Sequence, residues 1–135
     1  AKICNTDAYH FQRLSAAIGD RIALLSGDDM MYAIHIMHGA TGGILASAPM
    51  LPAFWTQIHD TLAAGRLAEG IALHQKLLPT FAGLFNEVNP GPLKAMMADL
   101  GLPVGPVSLP LQAPNNATRQ LIVAAVEGLR AQGIA

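Results

Sequence analysis

Short apolar runs alternate with stretches of helical periodicity through the first third of the chain, and this alternation does most to narrow what it can fold into. Ala1 to Cys4 fits the end of a strand. Phe11, Leu14 and Ile18 recur at i, i+3 and i+7, one face of a helix that Gly19-Asp20 ends. Ile22-Ala23-Leu24-Leu25 is an unbroken apolar run, the pattern of a strand buried on both faces. Ser26-Gly27-Asp28-Asp29 makes a turn whose side-chain oxygens can cap the next helix, through Tyr32, Ile34 and Met37 to Gly39. A strand from Gly42 to Ala46 comes next, and Pro49 and Pro52 open a helix around Phe54, Trp55 and Ile58. Helices between strands imply a parallel sheet with helical crossovers, an α/β fold.

From about Leu62 the second half reads as all helix. Leu67, Ile71, Leu78, Phe81 and Phe85 mark one long helix or two, with Pro79 as the break. Asn89-Pro90-Gly91-Pro92 turns into a helix ending near Leu100-Gly101. Residues 102–114 hold Pro103, Pro106, Pro110 and Pro114, an extended connection. Asn115 or Asn116 caps a last helix with Leu121, Ala125 and Leu129 on one stripe.

Composition limits the function classes. A net charge of −1 without a basic run argues against nucleic acid as a partner. No apolar run approaches the roughly 20 residues of a membrane span, since His35, His38, Gly39, Thr41 and Ser47 interrupt the longest candidate. The single cysteine, Cys4, rules out an internal disulfide and fits a reducing, cytoplasmic setting. Charged residues are 13% of the chain, about half the usual share. Too few charges to cover a small domain suggests that other protein covers part of it. The opening Ala1-Lys2-Ile3 is read as an internal starting point.

The residue with the most chemistry is Lys2, where a parallel strand would end. Reactive groups of α/β barrels stand at the C-terminal ends of strands. A lysine desolvated there loses pKa and becomes a neutral nucleophile for a carbonyl. Taken alone, a lysine at position 2 is more often a solvated terminal residue.

An ordered series of motifs adds to that reading. Leu25-Ser26-Gly27-Asp28-Asp29 is followed by Gly39-Ala40-Thr41-Gly42-Gly43-Ile44, Leu77-Leu78-Pro79, Asn89-Pro90-Gly91-Pro92-Leu93-Lys94, Leu100-Gly101-Leu102 and Leu109-Pro110-Leu111. In this order, and with Lys2 upstream, the chain resembles the dihydrodipicolinate synthase / N-acetylneuraminate lyase family of class I pyruvate aldolases along essentially its whole length. The resemblance implies the C-terminal part of a (β/α)8 TIM barrel, from the end of strand six to helix eight, plus a C-terminal helical segment. Residues 1–63 would be the barrel portion and 64–135 the helical segment. Lys2 would be the Schiff-base lysine, with Gly27 and Ile44 lining a bound keto acid through backbone groups. Asp28 would stand where some members contact the second substrate.

The implied activity is aldol-type cleavage or condensation of pyruvate or another 2-keto acid, without cofactor or metal. The alternatives are a 2-keto-3-deoxy sugar acid aldolase or dehydratase, and an inactive homologue or assembly module. Implied partners are the missing N-terminal barrel half and further copies in a homotetramer or dimer. Family members carry a carboxylate-binding loop and a proton-relay tyrosine in that other half, so this chain by itself is not expected to be a competent catalyst. Two departures bear on substrate. The family usually follows the lysine with an acidic or polar residue, Ala/Thr, Ser/Thr, Gly and Asp, of which Ile3-Cys4-Asn5-Thr6-Asp7 matches well only at Asp7. Leu45-Ala46-Ser47-Ala48-Pro49 follows Ile44 where the synthases commonly have Ser-Val-Thr-Ala-Asn.

Several residues have competing readings. His35 and His38, three apart on a helix, could share a metal or simply pack. Asp28 and Asp29 could be paired carboxylates, with capping favoured for at least one. Cys4 could be a reactive thiol, with a small buried filler favoured.

Overall fold

The computed structural model describes all residues, 1–135. Three two-residue strands, β1 (Lys2–Ile3), β2 (Leu25–Ser26) and β3 (Gly42–Gly43), form a parallel sheet in the order β1-β2-β3. The crossovers are α1 (Ala8–Ile18) and α2 (Tyr32–Met37), as the alternating pattern required. Then come α3 (Pro52–Ala63), α4 (Leu67–Gln75), α5 (Leu78–Leu84), α6 (Gly91–Asp99) and α7 (Asn116–Ala131).

The chain divides into two compact units, Ala1–Ala48 with Pro52–Gln75, and Pro49–Leu51 with Lys76–Ala135. The partition expected at 63/64 concerned barrel against helical segment. Division by packing falls after Gln75 and keeps α4 with the sheet.

In the first unit, the Asp7 carboxylate caps α1 by accepting the Tyr9 amide at 2.9 Å. Gly19 ends α1 at φ 55°, a left-handed conformation that glycine adopts without strain. The expected strand at residues 22–25 starts later and is not buried on both faces: Ile22 is 53% exposed. A 3-10 turn, Gly19–Arg21, follows α1, and backbone pairing begins only at Ala23, whose carbonyl accepts the Ala1 amine, and at Leu24, whose carbonyl accepts Thr41 N–H at 2.8 Å. Phe11, Leu24 and Ala40 form the core on one side of the sheet, with Ile3, Leu14, Ile18 and Ile36 against them.

In the second unit α7 packs on α5 and α6. The helical break falls where Pro79 was expected to place it, since α4 ends at Gln75 and Pro79 lies in the first turn of α5. Phe81 is buried as expected, but the remaining buried positions of α5, and of α4 in the first unit, differ from those expected. Leu67, Leu78 and Phe85 are exposed, whereas Gly70, His74, Leu77, Phe81 and Leu84 are buried. On α7 the buried stripe is Thr118, Ile122, Ala125, Val126 and Leu129, with Leu121 facing out. Each aliphatic side chain fully buried this way contributes about 1.5–3 kcal/mol. No helix is long and apolar enough to cross a membrane.

Candidate active site

Side chains alternate between the two faces of a strand, and the register sorts the site by face. Lys2 pairs with Leu25 and Leu25 with Gly42. Gly27 and Ile44 lie two residues beyond Leu25 and Gly42, so they share the face of Lys2. The intervening residues, Ile3, Ser26 and Gly43, look the other way, toward the helices.

The ladder continues past the strands and fixes both loops. Gly27 N–H donates to Ile3 O at 2.7 Å, and Ile44 N–H donates to Ser26 O at 2.8 Å. The Lys2 side chain lies across the Gly27 backbone. A methyl group on Gly27 would come within 2.6 Å of Lys2 Cε and 2.8 Å of Lys2 Cγ. Ile44 is 54% exposed on the third strand. Lys2, Gly27 and Ile44 therefore line one face at the C-terminal ends of three adjacent parallel strands, where barrel folds place reactive groups.

Asp28 takes the capping role favoured for at least one of the Asp28-Asp29 pair. Its Oδ1 accepts the Met31 amide at 2.9 Å, so this carboxylate caps the turn into α2. Asp29 is only 1% exposed and accepts the amides of Ala46 at 3.0 Å and Ser47 at 2.9 Å, together with the Ser47 hydroxyl. One buried carboxylate thus binds the loop after β2 to the loop after β3. Trp55 Nε1–H donates to Ser47 Oγ at 2.9 Å, and His74 Nε2 meets Asp29 O at 2.7 Å.

Cys4 is exposed rather than a buried filler: it lies two residues beyond Lys2, on the Lys2 face and not on the helix side of the sheet. Its Sγ would lie 2.5 Å from a methyl group on Gly27, so the thiol flanks the same glycine as Lys2. No group of three His, Cys, Asp or Glu side chains is placed to hold an ion. His35 instead turns into the core. Its Nδ1 lies 2.9 Å from Ser26 Oγ, and its ring stacks on Phe11 at 4.1 Å between centroids.

Burial sets the protonation of the helix side of the sheet. Desolvation lowers the pKa of His35 against the opposing charge of Asp28. It also lowers that of His74 against the Asp29 carbonyl and carboxylate. Tyr32, whose hydroxyl meets His59 Nδ1 at 2.8 Å, is pushed up to about 12 by burial and then by the charge of Asp60. The sequence offers Asp29 as a paired carboxylate or a cap and His35 as a metal ligand or a packing residue, and it does not single out His74. None of these signals reveals the partners found here, which lie far away in sequence.

Residues 1–129 match the Dihydrodipicolinate synthetase family. The chain belongs to this family. It is 37% identical over 131 residues to a 4-hydroxy-tetrahydrodipicolinate synthase of Sorangium cellulosum, covering 97% of this chain and 44% of that protein. It is 34% identical over 105 residues to a synthase of the same name from Gluconobacter oxydans, covering 78% of this chain and 35% of that one. Among solved structures, a chloride-inhibited dihydrodipicolinate synthase of Acinetobacter baumannii complexed with pyruvate superposes with a TM-score of 0.89 at 26% identity, over 99% of this chain and 45% of that one. The Thermotoga maritima dihydrodipicolinate synthase superposes at 0.88 with 25% identity, over 99% and 45%. The chain spans less than half the length of these relatives. Its fold is the C-terminal portion of the family's (β/α)8 barrel, from the end of strand six to helix eight, with a C-terminal helical segment.

Proposed function

We propose that this chain is the lysine-bearing portion of a class I aldolase or synthase that forms a Schiff base with pyruvate or another 2-keto acid. The observation that carries the reading is Lys2 lying against the Gly27 backbone on the face it shares with Ile44. The neutral amine of Lys2 attacks the ketone carbon, and loss of water leaves a protonated imine. The imine withdraws electrons from the adjacent carbon. A proton or a C–C bond there can then break, its electron pair passing into an enamine. The enamine carbon adds to an aldehyde or imine to form the new C–C bond, and hydrolysis frees Lys2.

Backbone groups at Gly27 and Ile44 hold the keto acid, and Asp28 orders the turn between them. The groups that bind the carboxylate and relay protons come from the N-terminal barrel half, which is therefore a required partner. A cytoplasmic dimer or tetramer of whole barrels is the proposed working form, and the chain's 13% share of charged residues suits covered surface.

The test is borohydride reduction in the presence of pyruvate, with peptide mass mapping, on the longest polypeptide that carries this chain. The expected result is a reduced pyruvate adduct on Lys2 that disappears in Lys2→Ala. A polypeptide with the complete barrel that yields no adduct on Lys2 overturns the reading.

A further inference from the structure

We propose that His35 is a positioning residue for the Lys2–Gly27 site. It acts through Ser26, and the inference rests on the lyase reading above.

Ser26 is the residue between Leu25 and Gly27, and its fully buried side chain points away from Lys2, toward the helices. Its hydroxyl donates to Asp28 O at 3.1 Å and lies 3.4 Å from the Asp28 amide, a small loop that folds residues 27 and 28 over the end of β2. The third partner of that hydroxyl is His35 Nδ1 at 2.9 Å. A hydroxyl has one proton. That proton is shared between Asp28 O and the His35 contact, and the imidazole tautomer decides which of Ser26 Oγ and Nδ1 donates in the latter. Nε2, also buried, makes no hydrogen bond of good geometry.

A buried polar atom without a partner is destabilising, and an apolar side chain of similar shape would avoid that cost. What the imidazole supplies in return is a fixed position for Ser26. Its ring plane is set independently by stacking on Phe11, 13° from parallel. The backbone of Asn5, in the loop that leaves Lys2, also faces the ring and favours its protonated form. The ring thus stands between the loops that follow β1 and β2. A chain of contacts runs from Phe11 through His35 and Ser26 to Gly27, and Gly27 is the floor on which the Lys2 side chain rests. Displacing that floor moves the amine relative to the carbonyl it attacks, and such displacement is costly in rate.

The experiment uses the longest polypeptide that carries the chain, with three variants. His35→Phe keeps a stacking ring and removes both nitrogens, His35→Asn retains a hydrogen-bonding group near the Nδ1 position, and Ser26→Ala removes the contact from the strand side. Two readouts are taken on protein whose fold is checked by circular dichroism. One is the rate of borohydride-trapped pyruvate adduct on Lys2 against pyruvate concentration. The other is the rate of iodoacetamide alkylation of Cys4, whose thiol flanks Gly27 and reports the geometry without any catalysis.

For His35→Phe the expected result is a fall of about tenfold to a hundredfold in the saturating trapping rate. The Cys4 alkylation rate should change with it, both should largely recover in His35→Asn, and Ser26→Ala should match His35→Phe. The double variant should be no worse than either single one, because both remove the same contact. A folded His35→Phe protein with both rates unchanged overturns the proposal, and if that variant does not fold the same comparison on Ser26→Ala decides. If the unsubstituted protein traps no pyruvate, the lyase reading falls, while Cys4 alkylation still decides whether His35 sets the geometry beside Gly27.

Discussion

A methyl group is the smallest side chain that can be placed between Lys2 and the strand it crosses. The conformation of Gly27 is not left-handed, so alanine there meets no backbone strain. What it meets are Cys4 Sγ at 2.5 Å and Lys2 Cε at 2.6 Å, atoms on exposed side chains that can swing aside. Gly27→Ala is therefore expected to cost at most about 1 kcal/mol in denaturant unfolding. Trapping of pyruvate on Lys2 should fall at least about tenfold, because the amine is what moves. Loss of stability and trapping in proportion would mean that the glycine serves packing and not the lysine. At this scale the sequence carried the lysine and the glycine through an ordered motif, but not their contact. Contact depends on register, and a register shift of one residue would have put Gly27 on the helix side. Asp29 was legible as a paired carboxylate or a cap, but not as the link between two loops, because its partners Ala46 and Ser47 lie across a crossover.

Helix ends were easier to read than helix faces. Asn115 was one of two candidate caps for the last helix, and its side chain accepts the Thr118 amide at 2.9 Å. Asn115→Ala leaves that amide unpaired at the start of α7. The expected cost is about 1 kcal/mol of unfolding free energy, read as a lowered denaturation midpoint. Asn115→Asp, which keeps the acceptor, should restore most of it. An alanine variant as stable as the parent would assign the start of α7 to packing alone. Caps are local in sequence, so they survive reading without a structure. Faces are not local. Leu121 and Ile122 are equally apolar neighbours, and only the approach of α5 decides between them. A methyl group on Gly83 would lie 3.3 Å from the Leu121 backbone, so that close approach leaves the Ile122 side chain to fill the interface. The strands were shorter than the apolar runs suggested for a related reason. A run such as Ile22 to Leu25 measures hydrophobicity, whereas pairing depends on where the 3-10 turn releases the chain.

The charges that titrate near neutrality are unevenly distributed over the whole molecule. The chain has five histidines, His10, His35, His38, His59 and His74, and all of them lie in the unit that holds the sheet. Two of these, His35 and His74, are buried with pKa values lowered from 6.5 by desolvation. In the unfolded chain they protonate as pH falls through about 6.5, whereas in the folded chain they resist. The unfolded state then binds more protons, so stability rises with pH in this range. The stabilisation is complete above about 6.5 and is lost as pH falls below it toward the folded values. Carboxylates titrate at about 4, so the interval from about pH 6.5 to about pH 5 isolates the histidines. Over that interval, amide exchange corrected for its intrinsic rate should accelerate in α1, α2 and α4 and stay level in α5, α6 and α7. The single tryptophan, Trp55, lies 5.7 Å from the His74 ring, so its fluorescence should report a falling denaturation midpoint for the same unit. His35→Asn and His74→Asn together should flatten that pH dependence, since neither replacement titrates. Equal acceleration of exchange in both units would place the acid-sensitive groups outside this pair. The midpoint would then have to be explained by surface charge, which in a chain of net charge −1 gives no reason for one unit to respond before the other.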